Sequence, residues 1–154
     1  MLLFRNIVLT IILIVITYTD LKRREIDHEP IIIGLTFIVL FSLCGFNDVS
    51  VKSSILGFLI GGITFTILAF GGMGGGDVKL MALIGFFLGW KLTILAMYLS
   101  FVLGTVIGIL YMAFKKVKMK EFIPFGPAIA GATALVMFFG AQIINKFEFL
   151  WFLR

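Results

Sequence analysis

The chain has 154 residues, of which 61% are hydrophobic and 14% charged, and its mean hydropathy is +1.18. Soluble domains are about half apolar, so this composition excludes an ordinary water-soluble globule and points to a polytopic membrane protein. The formal charge of +5 would suggest nucleic acid in a soluble protein, but here the basic residues flank apolar stretches, as membrane topology requires, and no nucleic-acid partner is expected. The length suits one transmembrane domain over residues 1–154. The one cysteine, Cys44, lies in an apolar stretch. It permits no intrachain disulfide and no CxxC or zinc-knuckle site, and it reads as a buried small hydrophobe.

Taken in chain order, the first element is an apolar run from Ile7 to Tyr18 behind Arg5. No small-x-small cleavage site follows, so it reads as a retained span rather than a signal peptide. Hydrophobic runs predict an all-α protein of about six transmembrane helices, at roughly 3–19, 31–46, 53–70, 78–90, 92–114 and 125–145. The fourth is short for a bilayer and is expected to be partly submerged or packed among its neighbours. Gly57-Phe-Leu-Ile-Gly61 and Gly104-Thr-Val-Ile-Gly108 are small-xxx-small patterns that predict close helix packing. No internal repeat suggests a transporter-style duplication.

Lys and Arg set the orientation. Lys22, Arg23 and Arg24 follow the first span, Lys79 follows the glycine loop, and Lys115, Lys116, Lys118 and Lys120 follow the fifth span. Arg5, Lys52, Lys91, Lys146 and Arg154 fall on the other side, so the first side is predicted to be cytoplasmic, with both termini outside. Parity then places the loops after spans one, three and five together. Asp20 opens the first of these loops and Asp77 closes the second. Asp48 and Glu148 fall on the far face.

Asp77 stands in Gly71-Gly-Met-Gly-Gly-Gly-Asp77, between two strongly apolar stretches. A carboxylate near hydrocarbon costs on the order of 3 kcal/mol on insertion scales, so it faces a protein interior or wet cavity and marks a functional site by default. Two carboxylates held close share a proton, and their apparent pKa values belong to the pair. One can then take a proton from water while the other gives one to a leaving nitrogen, which is hydrolysis without metal or covalent intermediate. Other designs are poorly supplied. His28, the one histidine, sits between Asp27 and Glu29, and no serine lies in a nucleophile-elbow sequence. Asp27-His28-Glu29 lacks the i, i+4 spacing of a helical metal site, so neither metal nor cofactor is expected. Asp27, seven residues from Asp20, is the rival for the second place in the pair.

Gly72-Met-Gly-Gly-Gly-Asp-Val-Lys-Leu80 resembles the GxGD signature of the type IV prepilin peptidases, membrane aspartic peptidases of prokaryotes. Asp20-Leu-Lys-Arg-Arg-Glu-Ile26 is similar to the family's other aspartate motif, although Asp27 and His28 stand where Pro and Asn are usual. Ile123-Pro-Phe-Gly-Pro127 is similar to the segment that opens its last helix. The resemblance implies removal of short basic leader peptides from pilin-like precursors at the cytoplasmic face of the cell (inner) membrane, with Asp20 and Asp77 as the catalytic pair. The partners implied are those precursors and membrane lipid; the oligomeric state and the choice of base stay open. Larger members also N-methylate the new terminus, using an insert with paired CxxC motifs. With Cys44 as its one cysteine the chain resembles the compact, peptidase-only members, and no methyltransferase activity is expected.

Around this pair, Gly74 and Gly76 would let Asp77 approach another helix and leave room for an extended substrate. Pro124 and Pro127 suit the start of a helix, and Pro124 and Gly126 would help shape the site. Lys79 either favours the ionised Asp77 or marks the interface. Glu25, Asp27 and Glu29 either attract a basic leader or form a solvated loop. Three other readings compete. A presenilin-like peptidase shares GxGD, but the chain lacks a Tyr-Asp pair and a Pro-Ala-Leu motif. A small transporter or proton conductor would use the two aspartates as a relay. A non-catalytic assembly scaffold would need neither.

Overall fold

The computed structural model describes residues 2–23, 28–44, 49–115 and 125–152. Within them the chain forms six helices: α1 Leu2–Arg23, α2 His28–Leu43, α3 Val51–Ala69, α4 Gly75–Leu88, α5 Trp90–Lys115 and α6 Gly126–Phe152. Each overlaps a predicted span, five of them to within about four residues at either end, while α6 runs on past the predicted end at 145 to Phe152. The protein is thus a helical, polytopic membrane protein. By length and composition, three helical stretches among the described residues suffice to cross a bilayer: Val51–Ala69, Trp90–Tyr111 and Gly126–Lys146. Outward-facing side chains are apolar, among them Ile11, Ile63, Ile109 and Phe138, which suits hydrocarbon as the surrounding solvent.

The boundaries follow local chemistry. Ser50 caps α3, its hydroxyl accepting the Ser53 N–H at 3.3 Å. Pro30 falls in the first turn of α2, where no intrahelical N–H is needed. Between α3 and α4 the chain reverses through Gly72, whose φ of 104° is open to glycine and strained for other residues. A second such glycine, Gly89 at φ 77°, ends α4 and lets α5 begin one residue later.

Two predicted loop residues turn out to be helical. Asp20 lies in the last turn of α1, which runs on past residue 19. Asp77 lies in the first turn of α4, which starts at Gly75. Exposed helix N–H groups favour a carboxylate there, so the helix begins before the aspartate rather than after it. Cys44 corrects a further expectation. It is exposed, in the turn that closes α2, where its N–H bonds to the Leu40 carbonyl and its side chain points away from the core.

Short α4 is the hub. Its residues Leu80, Met81, Leu83, Ile84 and Phe87 are buried, and they meet Leu9, Leu13 and Ile16 of α1, Ile38 of α2, Phe65 of α3, Ala96 of α5 and Ile129 of α6 in one core. From Leu80 to Leu88 the helix is apolar and almost wholly buried, packed among its neighbours as its length suggested. Its closest neighbour is α3. A Cβ on Gly57 would strike the Gly85 carbonyl, and one on Gly61 would lie 2.7 Å from the Met81 carbonyl oxygen. The predicted small-residue seam of α3 is therefore a backbone-to-backbone contact with α4. Gly104 has a different partner, described below.

Candidate active site

Asp20 and Asp77 are each 3% exposed, although they lie in helices from opposite halves of the connectivity. Asp20 ends α1, Asp77 begins α4 and Gly126 begins α6, so the loops after α1, α3 and α5 share one end of the bundle. That is the parity read from the sequence, and it brings the two carboxylates together.

Asp20 has a partner far away in the chain. The Gly126 N–H donates to its Oδ2 at 2.9 Å, across 106 residues. Gly126 is required sterically as well, because a Cβ there would lie 2.5 Å from the same oxygen. A carboxylate at a helix N-terminus satisfies an orphan donor and meets the positive end of the helix dipole.

Asp77 is placed by its own helix. Gly74 is the N-cap, and the Asp77 N–H bonds to its carbonyl at 3.1 Å. In this loop the left-handed backbone falls on Gly72, whereas Gly74 is extended, at φ −65° and ψ 136°, and Gly76 is half-buried in the first helical turn beside Asp77.

Both carboxyls lie just beyond the apolar runs 3–19 and 78–90. Burial raises Asp20 above the ordinary carboxylate range, against the lowering effect of the Gly126 hydrogen bond. Asp77 is pushed up to about 7, first by burial and second by the negative charge of Asp20, with a backbone hydrogen bond from Gly74 pulling the other way. The Coulombic effect of one on the other is the mark of a coupled pair. At neutral pH such a pair holds one proton between two carboxylates, the state that general acid–base chemistry needs.

The remaining predicted residues are distributed around this pair. Lys79 is exposed, one turn from the loop. Pro124, Glu25 and Asp27 lie outside the described residues, as does the His28 side chain; Glu29 is exposed in the first turn of α2. Among the described residues, no three His, Cys, Asp or Glu side chains converge on a point that could hold a metal ion.

Sequence reasoning missed Phe125. Its carbonyl accepts the N–H groups of Ala128 and Ile129 at 3.0 and 3.1 Å, so it caps α6 immediately ahead of Gly126. Its ring lies against Gly104 and near Phe65 and Phe101, with centroids 6.5 and 6.0 Å away. The signal for the cap was present in Phe125-Gly126-Pro127: proline at the second helical position marks a helix start. What no local signal gave is the ring's seat on α5.

The sequence profile of the type IV leader peptidase family matches residues 7–109. Among curated proteins, the chain is 32% identical over 146 residues to a prepilin leader peptidase/N-methyltransferase of Bacillus subtilis (strain 168), covering 93% of this chain and 58% of that protein. It is 29% identical over 145 residues to the protein of the same name from Aeromonas hydrophila, covering 89% of this chain and 50% of the relative. A shorter match to the Stutzerimonas stutzeri protein of that name is 40% identical over 76 residues, or 49% of this chain and 26% of the other. The chain thus spans little more than half the length of the curated relatives it matches over most of its length. No solved structure matches it.

Proposed function

Because the chain belongs to the type IV leader peptidase family, we propose that it is an aspartic endopeptidase that removes the leader peptide from type IV pilin-like precursors. The observation that carries this reading is the buried, coupled pair Asp20 and Asp77 at one end of the helical bundle. The names of the relatives, prepilin leader peptidases, support the substrate class.

The chemistry follows from one shared proton. The ionised carboxylate takes a proton from a water molecule as its oxygen bonds to the scissile carbonyl carbon. The protonated carboxyl gives its proton to the departing nitrogen as the C–N bond breaks. The pair ends with its proton on the other member, and exchange with water resets it. Burial keeps the acid member protonated near neutral pH. Gly74, Gly76 and Gly126 keep side-chain bulk away from the carboxylates, leaving room for an extended peptide. Lys79 marks the cytoplasmic interface. The excess of basic residues on the connections at this end supports a site at the cytoplasmic face of the inner membrane. Residues 1–154 act as one transmembrane peptidase domain.

The test is a processing assay in membranes. A pilin-like precursor is co-expressed with the wild type, Asp20→Asn or Asp77→Asn, and its mass is followed. The wild type removes the leader, and each variant inserts normally but cleaves about 10²–10⁴-fold more slowly, the usual scale of general acid–base catalysis. Cleavage by both variants at the wild-type rate overturns the aspartic mechanism. A wild type inert toward several precursors turns attention to proton conduction through the same pair.

A further inference from the structure

The four N–H positions that open α6 are all accounted for. Gly126 donates to Asp20, Pro127 has no N–H, and Ala128 and Ile129 donate to the Phe125 carbonyl. The donor offered to Asp20 is therefore a single backbone group, and its direction is set by the residue before it. That residue is anchored by its ring. Phe125 lies on the bare backbone of Gly104 in α5, where a Cβ would run into its Cε2 and Cζ atoms. Phe101 of α5 and Phe65 of α3, the latter fully buried, complete the seat.

We propose that Phe125 is a positioning residue for peptide cleavage: its ring, seated on Gly104, fixes the α6 cap whose Gly126 N–H holds Asp20 as the ionised, proton-accepting member of the pair. This rests on the peptidase reading above and assigns the roles that reading leaves open. Asp20 is the base that deprotonates water, and Asp77 is the acid that protonates the leaving nitrogen.

Geometry supports the assignment. When two coupled carboxylates share one charge, it settles on the member with the better donor. Asp20 is held by a donor from another helix, rigidly placed by packing. Asp77 has a backbone donor too, but it comes from Gly74, in the glycine run of its own loop. The charge of Asp20 in turn raises Asp77, which keeps the proton on the acid. Among the described residues at this end, Lys79 on α4, Glu29 on α2 and Lys22 on α1 are exposed, and the Lys22 ammonium is 3.3 Å from the Tyr18 hydroxyl. The first turn of α6 carries no acidic residue.

The experiment is a pH–rate profile of precursor cleavage by the full chain in detergent or vesicles, for wild type, Phe125→Ala, Phe125→Leu and Gly104→Ala. A base must be ionised, so rates rise with pH through its pKa; loss of the Gly126 donor raises that pKa. Phe125→Ala, which empties the seat, and Gly104→Ala, which fills it, therefore both move the acid limb upward by about one pH unit. Phe125→Leu moves it less, and the alkaline limb stays. A uniform fall in rate with the acid limb unmoved, in both Phe125→Leu and Gly104→Ala, overturns the assignment. Asp20→Asn and Asp77→Asn are run in parallel. If they cleave normally the peptidase reading itself fails, and if they are inactive while the limb stays put, the positioning role alone fails.

Discussion

The starts of α4 and α6 make an instructive pair. Each presents the positive end of a helix to a buried carboxylate. In α4 the carboxylate belongs to the helix itself, three residues after its N-cap. In α6 it arrives from α1, and the helix start is anchored by an aromatic ring rather than by a glycine run. One terminus is therefore built from local sequence, and the other is assembled from three helices. A locally built site tolerates displacement of its neighbours; an assembled one fails when any contributor moves.

The largest expected effect comes from putting a side chain between the assembled terminus and its carboxylate. Gly126→Ala sets a Cβ 2.5 Å from Asp20 Oδ2 and forces the N–H away. Breaking a hydrogen bond to a charged group costs about 1.5–3 kcal/mol, so cleavage should fall about 10–100-fold. Gly75→Ala, at the start of α4, meets no atom within 4 Å and should leave the rate nearly unchanged. Initial rates of leader removal measure both; equal losses would erase the contrast between the two helix starts.

The pH dependence sharpens the comparison from the side of α4. An acid must be protonated to act, and Asp77 is held up to about 7. Cleavage should therefore fall as pH rises through about 7, approaching tenfold per unit above it. A rate that stays flat to pH 9 would remove Asp77 from the acid role.

Smaller effects are expected where neither terminus is touched. Gly57→Ala and Gly85→Ala press α3 and α4 apart at a backbone contact. Overpacking of this kind costs about 1–3 kcal/mol, visible as a lowered unfolding midpoint in detergent. Because that seam lies toward the other end of α4 from Asp77, the pH optimum should stay where it is. A shifted optimum would mean that the seam and the site are mechanically coupled.

Much of this was legible without coordinates. Hydropathy located six helices, and the glycine run with its aspartate marked one half of the site, because an ionisable group beside apolar stretches is costly enough to stand out. Parity put Asp20 on the same face. Gly57 and Gly61 were read correctly as close packing. Gly104 was given the same reading, yet its neighbour is an aromatic ring from another helix, and spacing within one helix carries no information about which partner fills the gap. Cys44 departs from expectation for a related reason: an apolar stretch says that a residue avoids water, not whether it faces protein or lipid.

The sequence by itself determined the helices, their approximate ends and the residues able to carry the chemistry, since these depend on hydropathy, glycine and charge acting over a few turns. Only the tertiary structure decided that the Gly126 N–H belongs to Asp20, that Phe125 aims it, and that α4 sits at the centre of the core. Those facts depend on contacts such as the one spanning 106 residues, whose geometry is set when helices pack and not before.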